Sequence, residues 1–144
     1  MKLRIDNQIL VDEFFQDTRL IGIVAPLKPY QFCWHLNQRL RFDFRINNNI
    51  EIQLNKKHRT YFFSVYEYAE NCGTIRHYLY HNQFDGEYLL PELKHLDFLW
   101  LIKDDIIQDE EVNDLMGSIK TIPPVQLIKE MTNEKIKNKQ HLIF

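Results

Sequence analysis

The chain has 144 residues, 44% of them apolar and 26% charged, which matches one globular domain able to bury a core without staples. A formal net charge of −2 excludes a global basic field that would draw it onto nucleic acid or an anionic membrane. Two cysteines, Cys33 and Cys72, exclude a disulfide framework and lack the spacing of metal ligands.

The N-terminal stretch carries Asp6, Asp12 and Glu13, unlike the uninterrupted apolar core of a signal peptide. No apolar run approaches the ~18–20 residues needed to cross a bilayer. The expected setting is the cytoplasm, with reduced thiols and no membrane partner. Residues 20–24 (LIGIV) read as a buried strand. Pro26 and Pro29 break it and open a helix in which Tyr30, Cys33, Leu36, Asn37 and Leu40 follow the helical period. Phe32 and Trp34 widen that inward face, leaving His35, Gln38 and Arg39 outside.

From residue 41 to 90 the period changes to two. Residues 41–46 alternate, and Asn47, Asn48 and Asn49 suit a tight hairpin into the strand bearing Ile50, Ile52 and Leu54. A second turn at 55–58 leads into residues 60–68, a third at 69–73 into residues 74–83, and Asp85-Gly86 is a strong hairpin signal. Residues 96–102 (LDFLWLI) are apolar on both faces after Asp97, as in a strand covered on both sides. Val112, Leu115, Met116 and Ile119 mark a helix over 109–120, with acids in its first turn and Lys120 at its end. Pro123 and Pro124 stop it before a strand at 125–129. This C-terminal strand-helix-strand unit predicts two strands that run parallel.

The expected fold class is therefore α+β, with a mainly antiparallel meander of about six to seven strands and two principal helices. The domain spans 1–131, and residues 132–144 form a polar, Lys-rich tail ending in Leu142, Ile143 and Phe144. The acidic run of Asp104, Asp105, Asp109, Glu110, Glu111 and Asp114, and the basic Lys129, Lys135, Lys137 and Lys139, read as solvated faces.

Chemistry is sparse. His77 and His81 share a strand face but stand about 13 Å apart at strand rise, too far to hold one ion. Ser64 and Ser118 lie in no nucleophile elbow, and four glycines build no phosphate-cradling loop. No cofactor and no metal is expected. With the turn at 69–73, Phe62, Ser64, Tyr66 and Tyr68 share a face with Arg76, Tyr78 and Tyr80. This aromatic face is the expected binding surface, either as a stacking platform for bases or covered by a helix or a second subunit.

The stretch Leu90-Pro91-Glu92 followed by Leu96-Asp97-Phe98 resembles the signature of the IPExxxVDY family, small single-domain proteins of the Bacteroidetes group. Pro91, Glu92 and Asp97 match it outright, while Leu90, Leu96 and Phe98 replace Ile, Val and Tyr. The layout of the whole chain is similar, from the LIGI strand through Leu36-Asn37 to strand-helix-strand. The resemblance implies a fold and carries no activity. Glu92 and Asp97 are then either an acid/base or cation-holding pair, or structural acceptors for backbone N–H groups beside the 94–96 turn. The leading expectation is a non-enzymatic binding or assembly module. It is a homodimer formed through the aromatic hairpin face or the 142–144 tail, and an unidentified protein partner stays open. Alternatives are a nucleic-acid-associated protein using the aromatic face, or an enzyme using Glu92 and Asp97.

Overall fold

The computed structural model describes residues 2–70, 73–103, 107–132 and 136–144. Cys72, Asp104, Asp105 and Lys135 lie outside them. The fold is α+β, built on one six-stranded antiparallel sheet. In chain order its strands are β1 (Arg19–Val24), β2 (Arg45–Lys56), β3 (Arg59–Ala69), β4 (Arg76–His81), β7 (Phe98–Lys103) and β8 (Leu127–Met131). A separate hairpin pairs β5 (Gln83–Phe84) with β6 (Glu87–Tyr88). The helices are α1 (Lys2–Phe14), α2 (Pro29–Arg39) and α3 (Asp109–Lys120).

Spatial order is β2-β3-β4-β7-β1-β8. The strand-helix-strand unit β7-α3-β8 does have parallel strands, but β1 is inserted between them and pairs antiparallel with both. Two antiparallel steps restore the original direction, so the parallel pair never shares a hydrogen bond.

β7 is buried along five of its six residues and divides the core in two. Leu99 and Leu101 face one cluster with Phe63, Val65, Tyr80 and Leu90. Phe98, Trp100 and Ile102 face the other, where α2 contributes Phe32, Cys33 and Leu36 and α3 contributes Val112 and Ile119. Pro29 at the first turn of α2, and the acidic first turn and basic end of α3, favour these helices locally.

The structure departs from the sequence-based layout in four places. Helix α1 is not among the elements expected from the sequence: among the side chains described, Val11, Phe14 and the following Phe15 pack on the core, while Ile9 and Leu10 are exposed and break the amphipathic pattern. The three asparagines do not turn the chain. β2 runs straight through them with a register irregularity between Ile46 and Glu51, and the Asn47 side chain accepts from Asn49 N–H and donates to Glu67. The turn expected at 55–58 is present, at Lys57 and His58, both with positive φ.

The 132–144 segment is no detached tail. Ile136 and Leu142 are buried, and the Tyr80 hydroxyl donates to the Leu142 carbonyl at 2.8 Å. Phe144 packs on Phe14 and Tyr78, so the terminal tripeptide is already engaged within the chain. Finally, Tyr30 and Trp34, both expected on the inward face of α2, point outward, as described below.

Candidate binding surface

The segment resembling a family signature forms a structural node. Asn82 leaves β4 fully buried and sits at its centre. Its side-chain amide donates to the carbonyls of Leu93 (2.9 Å) and Leu96 (3.1 Å), and its side-chain oxygen accepts from Leu90 N–H (2.8 Å). Its backbone carbonyl accepts from Leu89 and its N–H donates to Asp97. Pro91 opens a short 3₁₀ turn (Pro91–Leu93), and one side chain thus holds the whole bend that delivers the chain into β7. Asn82 was not flagged in the sequence, where it resembles any polar residue before an Asp-Gly hairpin.

The two acids of this segment point to different neighbours. Asp97 accepts from the buried Ala25 N–H at 2.8 Å, tying the node to the end of β1. Glu92 accepts from the backbone N–H and side-chain amide of Asn138, at 2.7 and 3.0 Å, clasping the C-terminal segment. Burial alone would raise the Glu92 carboxyl, but the Asn138 hydrogen bonds outweigh it and leave it below the usual range. Both carboxylates accept from backbone N–H groups, as the structural alternative holds: Asp97 from Ala25, and Glu92 from Asn138 and from its own residue. The two acids therefore tie down different segments.

The aromatic face is also redrawn. Ala69 pairs with Arg76, so the intervening loop spans residues 70–75, an even count, where a turn at 69–73 has an odd one. That difference of one flips the second strand over. Phe62, Ser64 and Tyr66 lie on the α2 side with His77, Leu79 and His81, whereas Arg76, Tyr78 and Tyr80 lie on the other. Tyr78 and Tyr80 are 7% and 0% exposed, and Arg76 is near Glu67. The five residues Phe62, Tyr66, Arg76, Tyr78 and Tyr80 do not form a common platform, which removes the stacking surface proposed for nucleic acid.

The α2 side of these strands carries a dense aromatic cluster. The indole N–H of Trp100 donates to His77 Nδ1, and His77 lies flat against Tyr68 and Phe42. His77 is buried, which lowers its pKa to about 4. Burial likewise pushes the Cys33 thiol up to about 12. Among the described residues, no group of three His, Cys, Asp or Glu side chains could hold a metal ion.

Exposed aromatic surface is found instead on α2. With Phe32, Cys33 and Leu36 directed inward, residues 30 and 34 must fall on the opposite side of the helix. Tyr30 and Trp34 are 63% and 58% exposed. With Leu27, Gln31 and His35 they line a concavity of about 430 Å³. The helical period alone contained this signal, since Trp34 lies two residues from both Phe32 and Leu36.

No protein-family model matches the chain, and no curated protein matches it significantly. No helix among the described residues is long and apolar enough to cross a membrane.

Proposed function

We propose that this protein is a non-enzymatic binding module that self-associates as a homodimer through the outer face of α2. The observation that carries it is the exposure of Tyr30 and Trp34 side by side on a helix whose other face is buried. Large exposed aromatics grouped on one element mark interaction sites more often than isolated ones do.

A second copy fits this surface better than a charged partner. No Lys, Arg, Asp or Glu is among the five lining residues. A two-fold interface meets itself, so its charge must be self-compatible, and this lining holds no carboxylate, ammonium or guanidinium to oppose its own copy. α2 has 11 residues and is therefore about 16 Å long. Such a patch falls short of the ~800 Å² per partner of a standard interface, so the dimer is weak, with a Kd on the order of micromolar or above. A cytoplasmic setting belongs to the same proposal, supported by a buried Cys33 with no disulfide.

Sedimentation velocity over a concentration series tests it. The wild-type chain should show a concentration-dependent dimer, and Trp34→Ser should stay monomeric with an unchanged thermal melt. A wild-type monomer at several hundred micromolar, roughly a hundredfold above a micromolar Kd, would refute it.

Membership of the IPExxxVDY family is part of the proposal, supported by the way residues 90–98 act as one node. An experimental structure of a family member with a different strand order would count against it.

A further inference from the structure

A second concavity, of about 100 Å³, lies between the first turn of α2 and the end of the β3–β4 hairpin. Continuing the pairing of Val65 with Tyr80 by one residue sets Ser64 across from His81, on the same face as Phe62 and Tyr66. Pro29 and Phe84 complete the walls.

The lining differs from that of a packing gap. Neither the Ser64 nor the Tyr66 hydroxyl has a hydrogen-bond partner among the described residues. No buried side-chain polar atom among them is left unsatisfied, so the half-buried Tyr66 must open its hydroxyl to solvent. His81 rests on the Phe98 ring and makes a backbone hydrogen bond with Gln83, which engages one ring nitrogen and leaves the other. Burial lowers the His81 pKa despite the opposing pull of Asp97, so the ring is neutral at pH 7 and its remaining nitrogen accepts. Ser64, Tyr66 and His81 thus bring two hydroxyls and a neutral imidazole to the lining of a cleft with aromatic walls, the composition of a small-molecule site.

We propose that this cleft binds a small, neutral, planar ring that carries a hydrogen-bond donor beside an acceptor. Its faces would rest on Phe62 and Pro29, and its polar edge would meet Ser64, Tyr66 and His81. An apolar cavity of about 150 Å³ encloses benzene; this open cleft of about 100 Å³ holds less, so a single ring enters it with part of its edge left in solvent. Neutrality follows from a lining without Lys, Arg, Asp or Glu, which offers no counter-charge to a desolvated ion. The site is separate from the outer face of α2 and does not depend on self-association.

The test is a titration of the full chain with 2-pyridone, followed by amide NMR shifts, with toluene as a ring of similar size lacking the polar edge. Saturable shifts should be confined to the surroundings of Pro29, Ser64 and His81, with a Kd on the order of 1 mM. Tyr66→Phe and Ser64→Ala should each weaken binding by up to about tenfold while leaving the thermal melt unchanged. The proposal fails if no saturable shift is seen at about 20 mM probe, or if shifts map elsewhere. It also fails if both variants bind as the wild type does, or if toluene binds equally well.

Discussion

The indole N–H of Trp100 donates to Nδ1 of His77 across two adjacent strands, at 3.0 Å. Because Nδ1 accepts, the buried imidazole is held neutral, with its remaining proton on Nε2, 3.8 Å from Glu70. Burial lowers its pKa from 6.5 to about 4. Between those values the unfolded chain binds a proton that the folded chain does not, so stability falls as pH drops from about 6.5 to about 4 and levels off below. The total effect is at most about 3 kcal/mol, reduced by whatever attraction Glu70 offers the charged ring. Urea unfolding across this range should show that slope, and His77→Phe should flatten it. His81, also lowered by burial, keeps a residual slope in both chains. Parallel profiles for wild type and variant would remove His77 as the source.

Asn82→Ala should be among the most damaging single changes. It leaves Leu90 N–H and the Leu96 carbonyl without partners inside the core, while the Leu93 carbonyl keeps its bond from Leu96 N–H. At roughly 1–3 kcal/mol for each unsatisfied buried group, the loss should be at least about 2 kcal/mol. Asn82→Asp should be worse, since a carboxylate would face two carbonyls. A chemical-denaturation midpoint close to wild type for either variant would contradict the node.

Asp97 and Glu92 should differ from one another. Asp97→Ala strands the buried Ala25 N–H and should cost about 1–3 kcal/mol, with Asp97→Asn milder because an amide oxygen still accepts. Glu92→Gln loosens an exposed clasp on Asn138 and should cost less than about 1 kcal/mol. The Glu92 contribution is present above its usual value of 4.5 and is lost as pH falls through the lowered folded value. Melting temperatures of the three variants check the order. A rise on neutralising either acid would point back to a repelling pair.

Gly22 on β1 is a packing glycine. A Cβ there would stand 2.5 Å from one methyl of Leu96 and 3.3 Å from the other, with Met131 also at 3.3 Å. Leu96 is 2% exposed and has little room to move. Gly22→Ala should therefore destabilise by about 1–3 kcal/mol, and Gly22→Ala combined with Leu96→Ala should recover part of that loss. Additive losses in the double variant would show that the two sites do not meet.

Features set by neighbours in sequence were legible before folding. The periods of α2 and α3, the two-sided burial of β7 and the Asp85-Gly86 turn all follow from local rules. Asp85 and Gly86 indeed both adopt positive φ. What escaped depends on counts or distant partners. One residue in the 70–75 loop decides whether Tyr78 and Tyr80 face Phe62 or Phe63. Nothing near the asparagines reveals that residues 59–69 hold β2 straight through them. Glu92 and Asp97 could be recognised as a pair of acids in a bend, but their acceptor roles involve Asn138 and Ala25, far along the chain. On α2, spacing from Cys33 points Tyr30 inward and aromatic character points Trp34 inward, yet the side of the helix that packs is set by Phe32, Cys33 and Leu36 and leaves both exposed.

The insertion of β1 between β7 and β8 has a consequence for how the chain matures on the ribosome. Residues 19–24 are made well before either of the strands that saturate their hydrogen bonds, at 98–103 and 127–131. Until then LIGIV is an apolar segment with two open edges, the condition in which nascent chains aggregate or recruit chaperones. Closure of the sheet must await the synthesis of residues 127–131, and the long-range pairings it needs are of the kind that fold slowly.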